Sequence, residues 1–385
     1  MKKNSTGKSR RKTVTQVNEN KLLAVMEAHR EKQRATAQLT IGIDLGDRGS
    51  CYCVLDENGE VLERDEVVTE RQPLEVVFGR FPASVVALEV GTHSPWVSRV
   101  LTGLGHRVIV ANARRVKLIS ESSRKNDRLD AEFLARLARA DEKLLAPVRH
   151  RSEAAQADLT LVRVRAQLVG LRTEAISAAR GLVKSFGQRL PQRDAGSWKP
   201  EHADGLAPGI QPHLRRLLRV VQELSQEIDG CEQDMEKMAA ERYASETERL
   251  QQVSGVGPVT SLSYVLTLED PHRFVRSRDV GPYLGLRPRS DQSGEQNPEL
   301  RITKEGDVYL RTLLVQCAQY ILSRKGPDTD LKRWGLKIEA KGKKKAKRRA
   351  VVAVARKLAI LLHHLWVSGE RYEPRRTQRQ PAAAA

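Results

Sequence analysis

Cysteine is scarce in this chain of 385 residues: there are four, Cys51, Cys53, Cys231 and Cys317. Their number and scatter exclude a disulfide framework, and Cys51-x-Cys53 lacks the second pair that a zinc site needs. They read as reduced thiols. No run reaches the roughly 18 to 20 apolar residues of a membrane span. The opening MKKNSTGKSRRKTVTQ has no apolar core of the kind a signal peptide requires. The expectation is a cytoplasmic, nucleoid-associated chain without a membrane partner.

Positive charge is plentiful. Lysine and arginine number 67 against 48 acidic residues, a formal net charge of +19. An excess of that size calls for a polyanionic partner, with nucleic acid ahead of a membrane surface.

Residues 1–39 open with six basic residues in the first twelve and read as an appended basic arm. From Thr40 the texture becomes strand-like: LTIGIDLG, GSCYCVLD, the turn ENGE and VLERDEVVT have hairpin spacing and β-branched enrichment. A helix near 74–79, the buried-strand run SVVALEVG, the helix SPWVSRVLTGLG and the strand RVIVANA lead to a helix over 127–140. The order βββαβαβα, over 40–150, is that of the ribonuclease-H-like nuclease fold. Residues 151–250 are helical. Leu214, Leu217, Val221, Leu224, Ile228, Cys231, Met235 and Met238 form one coiled-coil seam, and Leu161, Val164, Leu168, Leu171, Ala175, Ala178 and Leu182 a matching one. They predict a helical hairpin or a pairing surface between subunits. A mainly helical region follows over 251–372, and 373–385 reads as a disordered tail. The fold class is α/β plus mainly α.

Cutting a phosphodiester with two metal ions about 3.5 to 4 Å apart requires several converging carboxylates. Asp44 in IGIDLG is the first candidate; Ile41, Ile43 and Leu45 share the opposite strand face, and Gly42 and Gly46 beside it leave room for a phosphate. Glu89 ends the run SVVALEVG, where it is either a ligand or a strand-end acid reaching solvent. Asp127 and Asp130 lie on one face of a helix start, where acids also serve as caps and complement the dipole. Taken together, the acids occupy the first strand, the fourth strand and the last helix, the three places that fold brings together.

IGIDLG, LEVGTHSPW and RKNDRLDAEFLARL resemble the DEDD motif of the RuvC-like domain in the one-ten family of insertion-sequence transposases, relatives of the Piv-type DNA invertases. The resemblance implies that Asp44, Glu89, Asp127 and Asp130 bind metal, two Mg2+ ions with Mn2+ as a possible substitute. Arg124 and Lys125 would form a phosphate-facing rim. The family usually has Lys-Thr before its third acid, where this chain has Lys125-Asn126.

GVGPVTSLSYVLTLEDPHRF resembles the start of the family's second conserved domain; Gly255 and Gly257 form a turn that can offer amides to a phosphate. LGLRPRSDQSGEQ matches the segment in which a serine precedes a glycine, which implies a nucleophile at Ser293, with Ser290 competing. A serine needs activation to attack at neutral pH, and the proposed help is the acid site, with Arg287 and Arg289 neutralising the phosphate. RITKEGDVYLRTLLVQCA reproduces the family's strongest stretch, with Lys304, Gly306 and Arg311 in place, although NPEL replaces the usual upstream glycine. Lys341 to Arg349 hold seven basic residues in nine positions. Of these, Lys343, Lys344, Lys345, Lys347 and Arg348 are expected, with Arg287, Arg289, Lys304 and Arg311, to contact nucleic acid.

The resemblance covers residues 40 to about 372 and implies a DNA transposase or recombinase that forms a covalent phosphoserine intermediate, then exchanges and religates strands. Its partners would be donor and target DNA, a bridge RNA that supplies sequence choice, and further copies of the chain as a dimer or tetramer. Backbone and RNA-shape recognition suits a chain with only 4% aromatic residues. Two rivals are a RuvC-type junction resolvase that activates water and a non-catalytic nucleic-acid-binding protein.

Overall fold

The computed structural model describes residues 39–119, 127–290, 300–342 and 345–376, and for 117–119 and 127–128 the backbone only. The basic arm, Arg124, Lys125, Ser293, Lys343, Lys344 and residues 377–385 lie outside the described residues. The chain divides into two compact units, Met1–Arg151 and Ser152–Ala385.

In the first unit, strands β1 (Thr40–Asp44), β2 (Gly49–Leu55) and β3 (Val61–Val68) form an antiparallel meander. Its second turn is built by Asp56, whose Oδ1 accepts from the amides of Asn58 and Glu60, both at 2.8 Å. Helix α1 (Arg71–Gly79) leads to β4 (Val85–Glu89), which runs parallel to β1, and α2 (Ser94–Gly103) to β5 (Arg107–Ala111), parallel to β4. Only a crossover lets neighbouring strands run parallel: β1 reaches β4 through β2, β3 and α1, and β4 reaches β5 through α2. Helix α3 (Ala113–Ile119), which has no counterpart in the element order read from the pattern, precedes α4 (Asp127–Ala140). The sheet order is β3-β2-β1-β4-β5.

Strand alternation sorts the two sheet faces. Ile41, Ile43, Tyr52, Val54 and Leu88 pack with Phe78 of α1 and Leu101 of α2. The other face is covered by α4: Cys53 and Leu55 meet Ala131 and Ala135, while Ala87 and Ile109 meet Leu134 and Leu137.

In the second unit, α5 (Glu153–Lys184) and α6 (Gln211–Arg242) pair antiparallel. Leu159 and Val162 of α5 pack with Met235 and Ala239 of α6 at one end, and Ile176, Ala179 and Val183 with Leu214, Leu218 and Val221 at the other. The seam of α6 keeps Leu214, Val221, Ile228 and Met235, but its alternate positions are Leu218, Ser225 and Ala239. On α5 the buried Val162, Ile176, Ala179 and Val183 each lie one residue beyond a position of the heptad expected; of that heptad Leu161 and Ala175 pack partly buried, while Val164, Leu171 and Leu182 are exposed. Polar ties decide which stripe turns inward: Arg165 bonds Glu232 and Tyr309, Arg172 donates to Ser225, and Asp158 is held by Tyr243 and Arg242.

Helices α7 (Ala244–Gln251), α8 (Pro258–Leu268), α9 (Val308–Leu322), α10 (Asp330–Ala340) and α11 (Ala346–Ser368) enclose the main core of this unit. By length and composition α11 is long enough and apolar enough to cross a membrane, which corrects the expectation that no such run exists. Here Val354, Leu358, Leu362 and Leu365 are spent on the core, and the Tyr264 hydroxyl of α8 donates to the Ala359 carbonyl at 2.6 Å. Residues 373–376, expected in a disordered tail, are tied down: the Asp330 amide donates to Pro374 O at 2.8 Å, and Arg375 pairs with Asp328.

Each unit buries a histidine. His106 Nδ1 accepts from the Ser84 amide while Nε2 donates to Phe78 O; His363 Nε2 donates to Pro271 O while Nδ1 accepts from Ser277 Oγ. Burial pushes both imidazoles below the usual histidine range. Unfolding restores a value of about 6.5, so below that pH the unfolded chain takes up protons the folded one refuses. Their contribution is therefore intact at neutral pH and is lost as pH falls through that value. Urea midpoints are expected to drop from about pH 7.5 to about pH 5.5, and His363→Gln to flatten the drop in part; a flat wild-type profile contradicts the assignment.

Candidate active site

Asp44 and Glu89 are the last residues of two neighbouring parallel strands, with Ile43 aligned to Leu88 just before them. Alternation places Asp44 on the face of Gly42 and Glu89 on the face of Ala87, and both faces lie under α4. Helix α4 starts at Asp127, so Asp127 and Asp130 occupy its first turn. Asp44, Glu89 and Asp130 are all half-buried.

The approach of α4 to β1 explains the glycines differently from the sequence reading. A Cβ on Gly42 would overlap the Ala131 carbonyl oxygen and come within 2.6 Å of Ala135 N. Gly42 therefore makes room for the helix backbone, one residue beyond Asp130, and not for a phosphate. Gly46 likewise admits the carbonyl of Gly49 in the β1–β2 turn. This close contact holds the first turn of α4 against the end of β1.

Glu132, on the next turn of α4, is engaged by Arg64 and Arg136. At the rim, a contact the motif reading missed joins the loops that follow the two acid-bearing strands. His93 Nε2 lies 3.2 Å from Asp47 Oδ1, and Trp96 Nε1 donates to His93 Nδ1 at 3.1 Å. Because Trp96 supplies the hydrogen at Nδ1, the neutral ring carries its own on Nε2 and donates to Asp47. The signal was a histidine and a tryptophan three apart at a helix start. Among the described residues, no group of three or more His, Cys, Asp or Glu closes into a metal cluster.

In the second unit, Arg287 and Arg289 are exposed on a short two-stranded stem, in which Pro288 faces Ile302, Arg289 N donates to Arg301 O and Thr303 N to Arg287 O. Ser290 is exposed at its end; Ser293 lies outside the described residues. Lys304 is exposed, and its left-handed backbone (φ 59°) marks a constrained turn. Arg311, expected to contact nucleic acid, is turned inward instead. It is 8% exposed, and its Nη1 donates to Leu284 O at 3.0 Å and Glu305 O at 2.7 Å. It closes the root of the stem from inside and is not placed on a phosphate-facing surface. Gly255 is left-handed (φ 94°) and packs on Tyr320, so the GVG turn is docked on α9. Lys345, Lys347 and Arg348 are exposed at the start of α11, and the last two line an open groove with Glu339 and Val351.

Two family profiles match the chain. One, a transposase profile of the DEDD type, spans residues 41–187, and one described as the transposase IS116/IS110/IS902 family spans residues 247–332. The transposase for insertion sequence element IS1111A of Coxiella burnetii is 30% identical over 361 residues, 90% of this chain and 96% of that protein. The transposase for insertion sequence element IS1328 of Yersinia enterocolitica is 29% identical over 293 residues, 74% and 84% of the two chains. A probable family 20 transposase of Pseudomonas aeruginosa is 27% identical over 340 residues, 87% and 98%.

Proposed function

The chain belongs to the IS116/IS110/IS902 family of insertion-sequence transposases, and from that premise we propose that it recombines DNA through a serine nucleophile, Ser293, assisted by the acids Asp44, Glu89, Asp127 and Asp130. The observation that carries this reading is the placement of Asp44 and Glu89 side by side on the face covered by α4, whose first turn holds the other two acids. The sheet order, antiparallel over β1 to β3 and parallel over β1, β4 and β5, supports a ribonuclease-H-like domain of the RuvC type. The paired helices then serve as connector to a carboxy-terminal transposase domain.

The donor set fits a hard divalent cation, since all four groups are carboxylates. Mg2+, or Mn2+ in its place, would be held by these acids and would supply charge stabilisation at the oxygens of the reacting phosphodiester. Ser293 Oγ attacks phosphorus, one P–O bond to the DNA strand breaks as the Oγ–P bond forms, and the freed strand end leaves as an alcohol. Exchange of strands and the reverse attack by a DNA hydroxyl restore the serine. Arg287 and Arg289, exposed on the stem that leads to Ser293, neutralise the attacked phosphate. Lys304, Lys345, Lys347 and Arg348 hold nucleic-acid backbone.

The net charge of +19 with 4% aromatic residues supports shape and backbone recognition, with a bridge RNA supplying sequence choice in a cytoplasmic setting. The exposed Val164, Leu171 and Leu182 on α5 support a homo-oligomer as the working unit.

The test is trapping on a nicked suicide duplex. The unaltered chain is expected to form a protein–DNA adduct resistant to denaturant, and Ser293→Ala to lose it while still binding the duplex. Cleavage that persists in Ser293→Ala without any adduct would overturn the serine reading in favour of a water-using junction resolvase.

A further inference from the structure

The segment DPHRFVRSRD, residues 270–279, has no part in the proposed strand chemistry. It carries His272, Arg273, Arg276 and Arg278 against Asp270 and Asp279. It is also unusually well anchored for a surface loop. Asp270 Oδ1 caps the His272 amide at 2.9 Å, and buried His363 of α11 holds both ends, at Pro271 O (2.8 Å) and Ser277 Oγ (3.0 Å). Between those ends Phe274 turns inward. It meets Tyr283 and His363 edge-on, with ring centroids 5.2 and 5.5 Å away, and the Arg273 guanidinium lies 5.5 Å above its ring.

An inward Phe274 forces its neighbour outward. Val275 is 95% exposed, the most exposed of the large apolar residues described. A single exposed apolar residue is ordinary on a protein surface and carries no meaning alone. Here the backbone is pinned on both sides, so the valine is held out in water at a fixed point, with Arg276 and Arg278 exposed beside it. Arg276 has only a loose surface partner in Asp279, at 3.4 Å, which a phosphate readily replaces.

A rigid apolar tip flanked by guanidinium groups matches what the groove of a duplex accepts: arginines on the phosphates at its edges and an aliphatic side chain against sugars or between base steps. We propose that residues 271–279 form a DNA-docking wedge, with Val275 seated in a groove of duplex DNA and Arg276 and Arg278 on the phosphates beside it. The arginines at 273, 276 and 278 commit the partner to a polyanion, and the choice of duplex DNA rests on family membership.

The experiment uses the full chain and a mixed-sequence duplex carrying 2-aminopurine, whose fluorescence rises when neighbouring bases unstack. The unaltered chain is expected to bind with a fluorescence rise. Val275→Ser is expected to abolish the rise and weaken binding about tenfold without changing the salt dependence. Arg276→Gln with Arg278→Gln is expected to reduce the slope of log affinity against log salt by about 2. Unchanged thermal unfolding keeps these effects off the fold, since the altered side chains point into solvent. Binding and fluorescence that Val275→Ser leaves unaltered overturn the wedge alone. Variants that lose affinity for a structured RNA and not for the duplex overturn it in favour of RNA. Failure of the unaltered chain to bind duplex at all overturns both the wedge and the DNA reading beneath it.

Discussion

Gly42→Ala is expected to destabilise the first unit by about 3 kcal/mol or more, the upper range for forcing atoms into a packed interior. The added methyl has no flexible side chain to displace. Its neighbours are the Ala131 carbonyl oxygen and the Ala135 amide nitrogen, both part of the α4 backbone, and the Ala135 methyl is 3.0 Å away. Relief requires either β1 or α4 to shift, and β1 is the centre of the sheet, paired on both sides. A shift of α4 moves Asp130 relative to Asp44, so cleavage should fall beyond what the loss of folded protein explains. Gly103→Ala is the control: nothing lies within 4 Å of a Cβ there, and the change is expected to be close to neutral. Urea unfolding of both variants decides the matter. Equal midpoints for Gly42→Ala and the unaltered chain would show that the strand and helix are not in backbone contact.

Asp44→Asn is expected to reduce DNA cleavage by about 10³-fold or more while leaving duplex affinity within about twofold, with Glu89→Gln close behind. The substitution keeps the size of the side chain and removes the charge. It therefore separates electrostatic work at the reacting phosphate from support of the fold, which unchanged thermal unfolding would confirm. The expectation follows from position: at the carboxyl ends of adjacent parallel strands, the two acids have their nearest backbone fixed by the sheet and need no loop to place them. Single-turnover cleavage under saturating protein is the measurement. Retention of more than a tenth of the rate in both variants would remove these acids from the chemistry.

The strands were legible because β-branched and apolar residues repeat at the period of a pleated sheet, and the turn residues of ENGE fall between them. The sheet order then follows from hairpins and crossovers, which leave few arrangements open. The register of α5 was not legible. Two apolar stripes run along it, one through Val164, Leu171 and Leu182 and one through Val162, Ile176 and Val183, and hydrophobicity alone does not rank them. What ranks them is the reach of Arg165 and Arg172 to partners on other helices, which no local pattern records.

Arg311 shows a related failure. In sequence it looks like one more cation in a basic region, yet its guanidinium is consumed by the carbonyls of Leu284 and Glu305, groups whose nearness depends on the tertiary fold. Gly42 was noticed for its missing side chain but assigned the wrong guest. The acids were read from placement on three separate elements, a pattern that survives errors of a residue or two at element ends. The tie from Trp96 through His93 to Asp47 depends on two loops meeting in space, and so had only the local spacing of two residues to announce it.

The paired helices α5 and α6 also behave as a ruler. Each has 32 residues, a length of about 48 Å at 1.5 Å per residue. Their apolar contacts form two clusters, one around Met235 and one around Leu218, with the Arg172–Ser225 hydrogen bond between them. Length and bearing of such a rod are coupled through the helical repeat. Seven residues added to both helices would carry the far end outward by about 10 Å and return it to nearly the same heading, whereas two added residues would swing it by roughly 200°. Chains of this architecture are therefore free to vary the reach of the rod only in steps of whole turns, and a relative with a different length should differ by such a step.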